Sequence, residues 1–204
     1  MSAVVLQPGR GRPAAGQAEA ITRRLVDTAW EVLLETGPEQ FSLDRLAAAA
    51  HASKQTIYAR FSGKRDLLQA VLDARIGQIF AEFMAAAQAG DLEGVIADVT
   101  RRSANTLNAP EASMLERLAD WIDMSLVGNP TRAAIYAQVH EAMRKYLRET
   151  ADLAGLDDGE IANAATLWLD SLIGHVRGVP RGGEELERWS RQFARYFMRA
   201  VTPR

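Results

Sequence analysis

The sequence contains no cysteine and only three histidines among its 204 residues. The absence of cysteine excludes disulfide bonds and thiolate metal ligands, and the wide spacing of His51, His140 and His175 argues against a histidine metal site. No apolar run approaches the roughly 20 residues that a membrane span needs. No stretch shows the short β-branched alternation that is typical of strands. These absences predict an all-α chain with no metal or other cofactor and no membrane partner.

The sequence patterns of familiar catalytic sites are missing as well. The chain has no HExxH pair, no glycine-rich phosphate loop, no GxSxG element and no cysteine nucleophile. An enzyme would therefore have to assemble its active site from scattered residues that carry no recognisable pattern. We expect that the protein is not an enzyme.

The charge of the chain is unevenly distributed along its length. The net charge is −2, but residues 1–75 carry 10 lysines and arginines against 8 acidic residues, and the rest carry 14 against 18. Apolar residues make up 48% of the chain, which is enough to bury a core. The sign of this split is typical of a DNA-binding front end followed by a neutral to acidic body.

The first 18 residues are rich in glycine, proline and alanine, which predicts a flexible basic arm over residues 1–18. Their basic residues follow the apolar stretch instead of preceding it, so a secretory signal is not indicated and a cytoplasmic location is expected. The run from Arg10 through Arg12 to Pro13 has the core pattern of an AT-hook, whose arginines enter an A·T-rich minor groove. The alternative is a disordered tail whose arginines only add affinity for phosphates. Arg10 and Arg12 are candidate DNA contacts in both cases.

From Glu19 onward, apolar residues recur at three- and four-residue steps, which predicts helices throughout the rest of the chain. Gly37 and Pro38 should end the first helix, and a fourth should run over about residues 64–88. Further glycine and proline breaks divide the remainder into stretches of helix length. The pattern predicts about nine helices, with a DNA-binding domain over residues 19–65 and a second helical domain over residues 66–204.

A helix-turn-helix is indicated by residues 42–61, which read SLDRLAAAAHASKQTIYARF. Two short helices lie about three residues apart, and the leading face of the second is polar, as a major-groove reading helix requires. Glutamine can pair with adenine and lysine with guanine or a phosphate, whereas hydroxyl groups suit phosphates. The candidate DNA-binding residues are Ser42, Arg45, Lys54, Gln55, Thr56, Tyr58, Arg60 and Lys64, of which we place Lys54, Gln55 and Tyr58 on bases and Ser42, Thr56 and Lys64 on phosphates.

The stretch FSLDRLAAAAHASKQTIYARFSGKRDLLQAVL resembles the DNA-binding domain of the tetracycline-repressor (TetR) family. The matching elements are a Leu-Ala pair, a four-residue turn, a Thr-Ile-Tyr core, a phenylalanine, a lysine and a Leu-Leu pair, and they lie within about residues 20–75. One departure is His51, which replaces the usual turn glycine at a position that normally needs a positive φ. The turn is therefore expected either to carry some strain or to differ in geometry.

Two late segments carry broad apolar stripes, one over residues 160–177 and one over residues 184–202. The last two long helices of TetR-family proteins pair with their symmetry mates, so the resemblance implies a C2 homodimer and a palindromic operator in double-stranded DNA. The alternative is that both stripes fill the core of a single subunit. The predicted interface residues are Trp168, Leu172, Trp189, Phe193, Tyr196 and Phe197.

The middle helices, about residues 92–154, are expected to enclose a pocket for an unknown small-molecule effector. A mixture of aromatic, thioether and imidazole side chains suits a largely apolar ligand, although each such residue is more often part of a core. The candidate ligand-binding residues are Trp121, Met124, Tyr136, His140, Met143, Trp168 and His175.

Two functions from different classes remain at this point. The first is a sequence-specific transcriptional repressor that is released from its operator when a ligand tilts the fourth helix, with an activator as a variant. The second is a helical ligand-binding or scaffold dimer whose N-terminal domain binds a protein partner. Binding to a palindromic operator distinguishes them.

Overall fold

The computed structural model describes residues 15–86, 91–124, 126, 129–178 and 182–202, and within these ranges it contains nine α-helices and no strand. The all-α prediction is confirmed. A short 3-10 turn, Ala151–Leu153, separates the seventh and eighth helices. The helices are α1 (Ala15–Gln40), α2 (Leu43–Ala49), α3 (Lys54–Tyr58), α4 (Lys64–Ala86), α5 (Leu92–Asn108), α6 (Pro110–Asp123), α7 (Pro130–Arg148), α8 (Asp158–Gly178) and α9 (Gly183–Val201).

The first helix begins at Ala15, which is earlier than the predicted start at Glu19, so the arm predicted over residues 1–18 was drawn too long. The alanines and glutamine that precede Glu19 favour a helix and extend it towards the N-terminus. Gly37 interrupts α1 with a φ of 72°, a conformation that glycine adopts without a steric penalty. The predicted break at Gly37 and Pro38 is therefore confirmed, and one further helical turn follows it.

The buried side chains form two clusters, and we call the first the head core. It joins α1, α2, α3 and α4 and also takes in one face of α6. Leu25, Leu46, Ile57 and Leu68 are essentially inaccessible, and Leu118 of α6 packs with them. The N-terminal helices α1 to α4 thus share their core with α6, which lies far away in the sequence.

The second cluster, the body core, joins α5, α7, α8 and α9. Ile96, Met143, Trp168 and Phe197 are its largest side chains without accessible surface. The indole Nε1 of Trp168 donates a hydrogen bond of 2.9 Å to the buried hydroxyl of Thr100, so α8 and α5 are linked through the middle of this core.

The helix α4 belongs to both parts of the molecule, because it packs on α1 at one end and on α5 and α6 along its length. The predicted domain boundary between residues 65 and 66 falls in its first turn. Among the helices of the described ranges, none combines the length and apolar character needed to cross a membrane. The shared helix gives the body a direct mechanical connection to the N-terminal elements.

Candidate functional site

Serine side chains cap both short helices of the predicted helix-turn-helix. The Ser42 hydroxyl accepts a hydrogen bond of 3.2 Å from the backbone N–H of Arg45, and the Ser53 hydroxyl accepts one of 3.1 Å from that of Thr56. These bonds satisfy N–H groups that have no partner within the helix, and they determine where α2 and α3 begin. The third helix ends at Tyr58, earlier than its predicted end near Phe61.

The turn between α2 and α3 contains the expected left-handed residue. His51 has a φ of 47°, and the next N–H group, that of Ala52, donates to the Ala47 carbonyl at 2.9 Å. The turn therefore keeps the geometry that normally uses glycine, with a histidine accepting the steric cost. Because His51 is exposed, its ring does not hold the turn by packing.

The helix α3 buries one side and leaves the other exposed. Ile57 is 1% exposed in the head core, whereas Lys54 and Gln55 are exposed and Tyr58 retains 56% of its accessible surface. Arg45 of α2 is exposed as well. This face presents the donor and acceptor groups that can reach base edges and phosphates. The base contacts of Lys54, Gln55 and Tyr58 and the contact of Arg45 stay predictions.

Lys54 forms an ion pair that the sequence reading missed. Its Nζ lies 2.5 Å from Oδ1 of Asp44, and both side chains are more than half exposed. The hydrogen bond to Asp44 and the charge of that carboxylate raise the pKa of Lys54. The only signal in the sequence was an acidic residue in the first turn of α2, which ordinarily indicates a favourable helix dipole interaction.

Thr56 and Arg60 form hydrogen bonds within the N-terminal part of the molecule, α1 to α3, which we call the head. The Thr56 hydroxyl lies 2.9 Å from the Ser53 hydroxyl, and Nη1 of Arg60 donates to the Thr56 carbonyl at 3.0 Å. Both residues are half-buried, as is Ser42. The predicted DNA contacts of these residues therefore depend on the hydrogen-bond donors that are not already used within the protein, and they stay predictions.

Lys64 is placed differently from the prediction that it clamps a phosphate. Its ammonium donates to the Pro38 carbonyl at 2.7 Å and lies 4.6 Å from the centre of the Trp121 ring. Burial lowers the pKa of Lys64, and the nearby carboxylate of Glu39 partly opposes this effect. Its charge is directed towards α1 and α6, so the half-buried Lys64 links these two helices, and its predicted phosphate contact stays a prediction.

A cavity of about 610 Å³ lies among α4, α5, α6, α7 and α8. This size is within the range of sites for drug-sized molecules. The predicted enclosure by residues 92–154 is therefore too narrow, because α4 and α8 also contribute walls. Aliphatic and aromatic side chains dominate the wall, and polar groups are fewer. The apolar wall includes Ile76, Ile79, Phe80, Leu107, Leu115, Ile135, Val139, Trp168, Leu169, Leu172 and Ile173. The polar groups include those of Glu82, Arg102, Glu116, Arg132, Tyr136 and Arg177.

Of the predicted ligand-binding residues, Tyr136 and Trp168 line this cavity. The Tyr136 hydroxyl accepts a hydrogen bond of 3.2 Å from Nη2 of Arg177, which also lies 3.9 Å from Glu116. The arginines and isoleucines of the cavity wall could not be predicted, because a single charged or aliphatic residue on a helix does not indicate whether it faces a cavity, the core or solvent.

The other five predicted ligand-binding residues lie outside the cavity wall, since each is used or exposed elsewhere. Trp121 packs against the head core, Met124 is 77% exposed at the end of α6, and Met143 has no accessible surface in the body core. His140 contacts the Ala162 carbonyl and the Thr166 hydroxyl, and His175 stacks on Trp189 with ring centres 3.5 Å apart.

The predicted dimer residues divide into two groups. Trp168, Leu172 and Phe197 are at most 2% exposed, so this part of the prediction was wrong: they have almost no surface left to bury against a partner. Trp189 and Phe193 are half-buried and stack with ring centres 5.6 Å apart. Tyr196 is 58% exposed on the same helix. These three lie on α9 beside its buried face, which packs on α5.

Arg10 and Arg12, the predicted minor-groove residues, lie outside the described part of the chain. Their contribution to DNA binding stays a prediction.

Comparisons with known proteins agree with this arrangement. Residues 25–71 match the family model for bacterial regulatory proteins, tetR family. The DNA-binding transcriptional repressor TetR of Mycobacteroides abscessus is 47% identical over 58 residues, which span 28% of this chain and 30% of that protein. The chain therefore matches less than a third of that relative's length.

Solved structures extend the likeness to the whole fold. A protein of Mesorhizobium loti MAFF303099 assigned to the TetR family superposes with a TM-score of 0.73 at 20% identity, over 92% of this chain and 99% of that one. A TetR-family transcriptional regulator of Pectobacterium atrosepticum gives 0.68 at 18% identity, over 94% and 98%. At these identities the similarity describes the fold alone, and the match to the family model is confined to residues 25–71.

Proposed function

We propose that the chain is a DNA-binding transcriptional regulator of the TetR family without enzymatic activity, because residues 25–71 match that family's model and the fold resembles solved TetR-family structures. The observation that carries the proposal is the exposed polar face of α3, which is held by serine caps and a left-handed turn on a buried apolar base. Lys54, Gln55 and Tyr58 would contact base edges, with Arg45 at a neighbouring phosphate. The predicted cytoplasmic location suits a protein that must reach DNA.

A homodimer would bring two copies of α3 to a palindromic operator, with half-sites about one helical turn apart. The outer surface of α8 and α9 supports this part of the proposal. Leu167 is 43% exposed and Tyr196 is 58% exposed, and the half-buried rings of Trp189 and Phe193 lie along the same helix as Tyr196. Apolar surface of this kind is usually covered in oligomers.

The cavity and the head are connected through α6, and this supports regulation by a ligand. Leu115 and Ala119 of α6 line the cavity, while Trp121, in the last turn of the helix, lies under the Lys64 ammonium. A guanidinium nitrogen of Arg65 also donates to the Ile122 carbonyl. A small, largely apolar ligand that shifts α6 would displace the start of α4 and the recognition helix with it, releasing the operator.

The proposal is tested by selecting duplexes from a random pool with the purified full-length protein and measuring the affinity of the enriched sequence. We expect an inverted repeat, and we expect Gln55→Ala and Tyr58→Ala to weaken binding by at least about tenfold because each removes a base contact. Gln138→Ala, on the exposed face of α7, is the matched control and should bind like the original protein.

The outcome of the selection also decides between the two classes of function. A folded dimer that enriches no sequence would contradict the proposal and favour a scaffold whose head binds a protein. Normal binding by both head variants would instead show that α3 is not the reading element. Release by a ligand is tested separately, by screening apolar compounds for quenching of tryptophan fluorescence, since Trp168 lies in the cavity wall, and for loss of the operator complex.

A further inference from the structure

The acidic partner of Lys54 lies at the edge of the proposed reading face. Lys54 is the first residue of α3, and Asp44 lies in the first turn of α2, on the other side of the turn. The 2.5 Å contact crosses between the two helices, and the side chains retain 53% and 73% of their accessible surface. A carboxylate thus stands among residues that would meet a polyanion.

This placement opposes simple attraction to DNA. A lysine at the front of a reading helix would ordinarily neutralise a phosphate and release a counterion, whatever the base sequence. Here its ammonium is held by Asp44, so the two opposite charges largely cancel and the lysine offers a phosphate little net attraction. Exposed ion pairs are weak, so a well-placed acceptor on a base can still draw Lys54 away from Asp44.

We infer that Asp44 is a specificity-determining residue, which keeps Lys54 from binding phosphates indiscriminately and so lowers the affinity for DNA of unrelated sequence. The inference rests on the proposed function. It assigns a role to Asp44 that is indirect, since this residue acts through Lys54 and does not itself read a base.

The test compares the original protein with Asp44→Asn in fluorescence anisotropy titrations of a random-sequence duplex and of the selected operator, over a range of salt concentrations. We expect the affinity for the random duplex to rise roughly three- to tenfold and the logarithmic salt dependence to steepen by about 0.9, as for one additional phosphate contact. The operator affinity should rise less, so the ratio of specific to non-specific affinity should fall.

Two further proteins separate this mechanism from other effects of removing a negative charge. Asp73→Asn changes an exposed carboxylate on α4 that binds Gln69 at 2.9 Å, and it should leave both affinities unchanged. In the Lys54→Ala background, Asp44→Asn should have little remaining effect, because the lysine that it liberates is absent. Thermal melting of each variant checks that α2 still folds.

The possible failures can be told apart. An unchanged salt dependence and random-duplex affinity in Asp44→Asn would overturn the inference while leaving DNA binding intact. An equal gain in the Lys54→Ala background would also overturn it, since repulsion by the carboxylate alone would then account for the effect. Failure of the original protein to bind any duplex would refute the proposed function and this inference together.

Discussion

The head, which comprises α1 to α3, and the body, which comprises the helices around the cavity and the body core, differ in where their candidate binding groups lie: on the surface in the head and around a cavity in the body. The head contains the two shortest helices, with five residues in α3 and seven in α2, and its candidate DNA-binding groups lie on the outside. The body consists of helices of 14 to 21 residues, and its notable feature is a cavity among them that is partly open to solvent. Helices as short as α2 and α3 are unstable alone, so their serine caps and the shared core must stabilise them. The body can accommodate a cavity because its longer helices bury enough apolar surface elsewhere, in the body core, to remain stable.

This difference explains why local sequence is informative in one region and not in the other. The reading face is built within residues 42–61, where each cap and turn residue acts on its immediate neighbours. The cavity draws on five helices that are consecutive in the chain, but which side of each helix faces the cavity depends on how the helices pack. Three substitutions sharpen this comparison.

Trp168→Ala should have the largest effect, a loss of about 3–5 kcal/mol in the free energy of unfolding. The substitution opens a void beside an existing cavity and leaves the buried Thr100 hydroxyl without the indole donor. Chemical denaturation followed by circular dichroism measures the change. Leu167→Ala, at a 43% exposed neighbouring position, is the control and should cost far less. A small loss for Trp168→Ala would mean that the body does not depend on this long-range contact.

Asp123→Asn should have an intermediate effect, because this residue connects α6 to α7. Asp123 is 2% exposed and accepts hydrogen bonds from the backbone N–H groups of Thr131 and Arg132, at 3.1 and 3.4 Å, thereby capping α7 from the preceding helix. Burial acts to raise the pKa of Asp123, but the hydrogen bonds from Thr131 and Arg132 outweigh it and hold the pKa below its usual value. We expect a loss of about 1.5–3 kcal/mol at neutral pH.

The pH dependence of this effect follows from the lowered pKa. The stabilising contribution of Asp123 is fully present above its unfolded pKa of about 3.9 and disappears as the pH falls through the lower folded value. Thermal melts of the original protein and Asp123→Asn should therefore converge in acid. Asp120→Asn, which removes an exposed partner of Arg132, should change stability by less than about 1 kcal/mol. A pH-independent difference for Asp123→Asn would show that the lost charge is not the cause.

His51→Gly should have the smallest effect and the opposite sign. Glycine adopts the φ of 47° without strain, and this gain exceeds the added freedom of the unfolded chain. We expect a stabilisation of about 0.5–1 kcal/mol, measured as a higher melting temperature with unchanged operator affinity. His51→Ala retains the Cβ atom and should give no such gain. If both variants were equally stabilised, the histidine ring and not the turn conformation would be responsible.

Particular residues show how far prediction from the sequence could reach. The cap at Ser42 and the break at Gly37 were predicted, because caps and turns depend on residues within a few positions. At His51 the sequence left strain and an altered turn geometry as alternatives, and the structure has the positive φ. Lys64 was placed on a phosphate, but its charge lies against Pro38 and Trp121, a contact that requires knowing where α6 packs. Tyr136 and Trp168 were correctly assigned to the cavity, whereas Met143 was not, since a methionine in a core and one in a pocket look alike in the sequence.

The sequence by itself determined the helical class, the resemblance of the N-terminal segment to a known family and the composition of the proposed reading face, because periodicity, capping and turn conformation are local properties. Only the tertiary structure decided which apolar residues line the cavity, which belong to the body core and which remain exposed. It also revealed that Asp44 holds Lys54 and that α6 connects the cavity to the head. These relations join residues from separate helices, and they depend on packing angles and distances that no local pattern encodes.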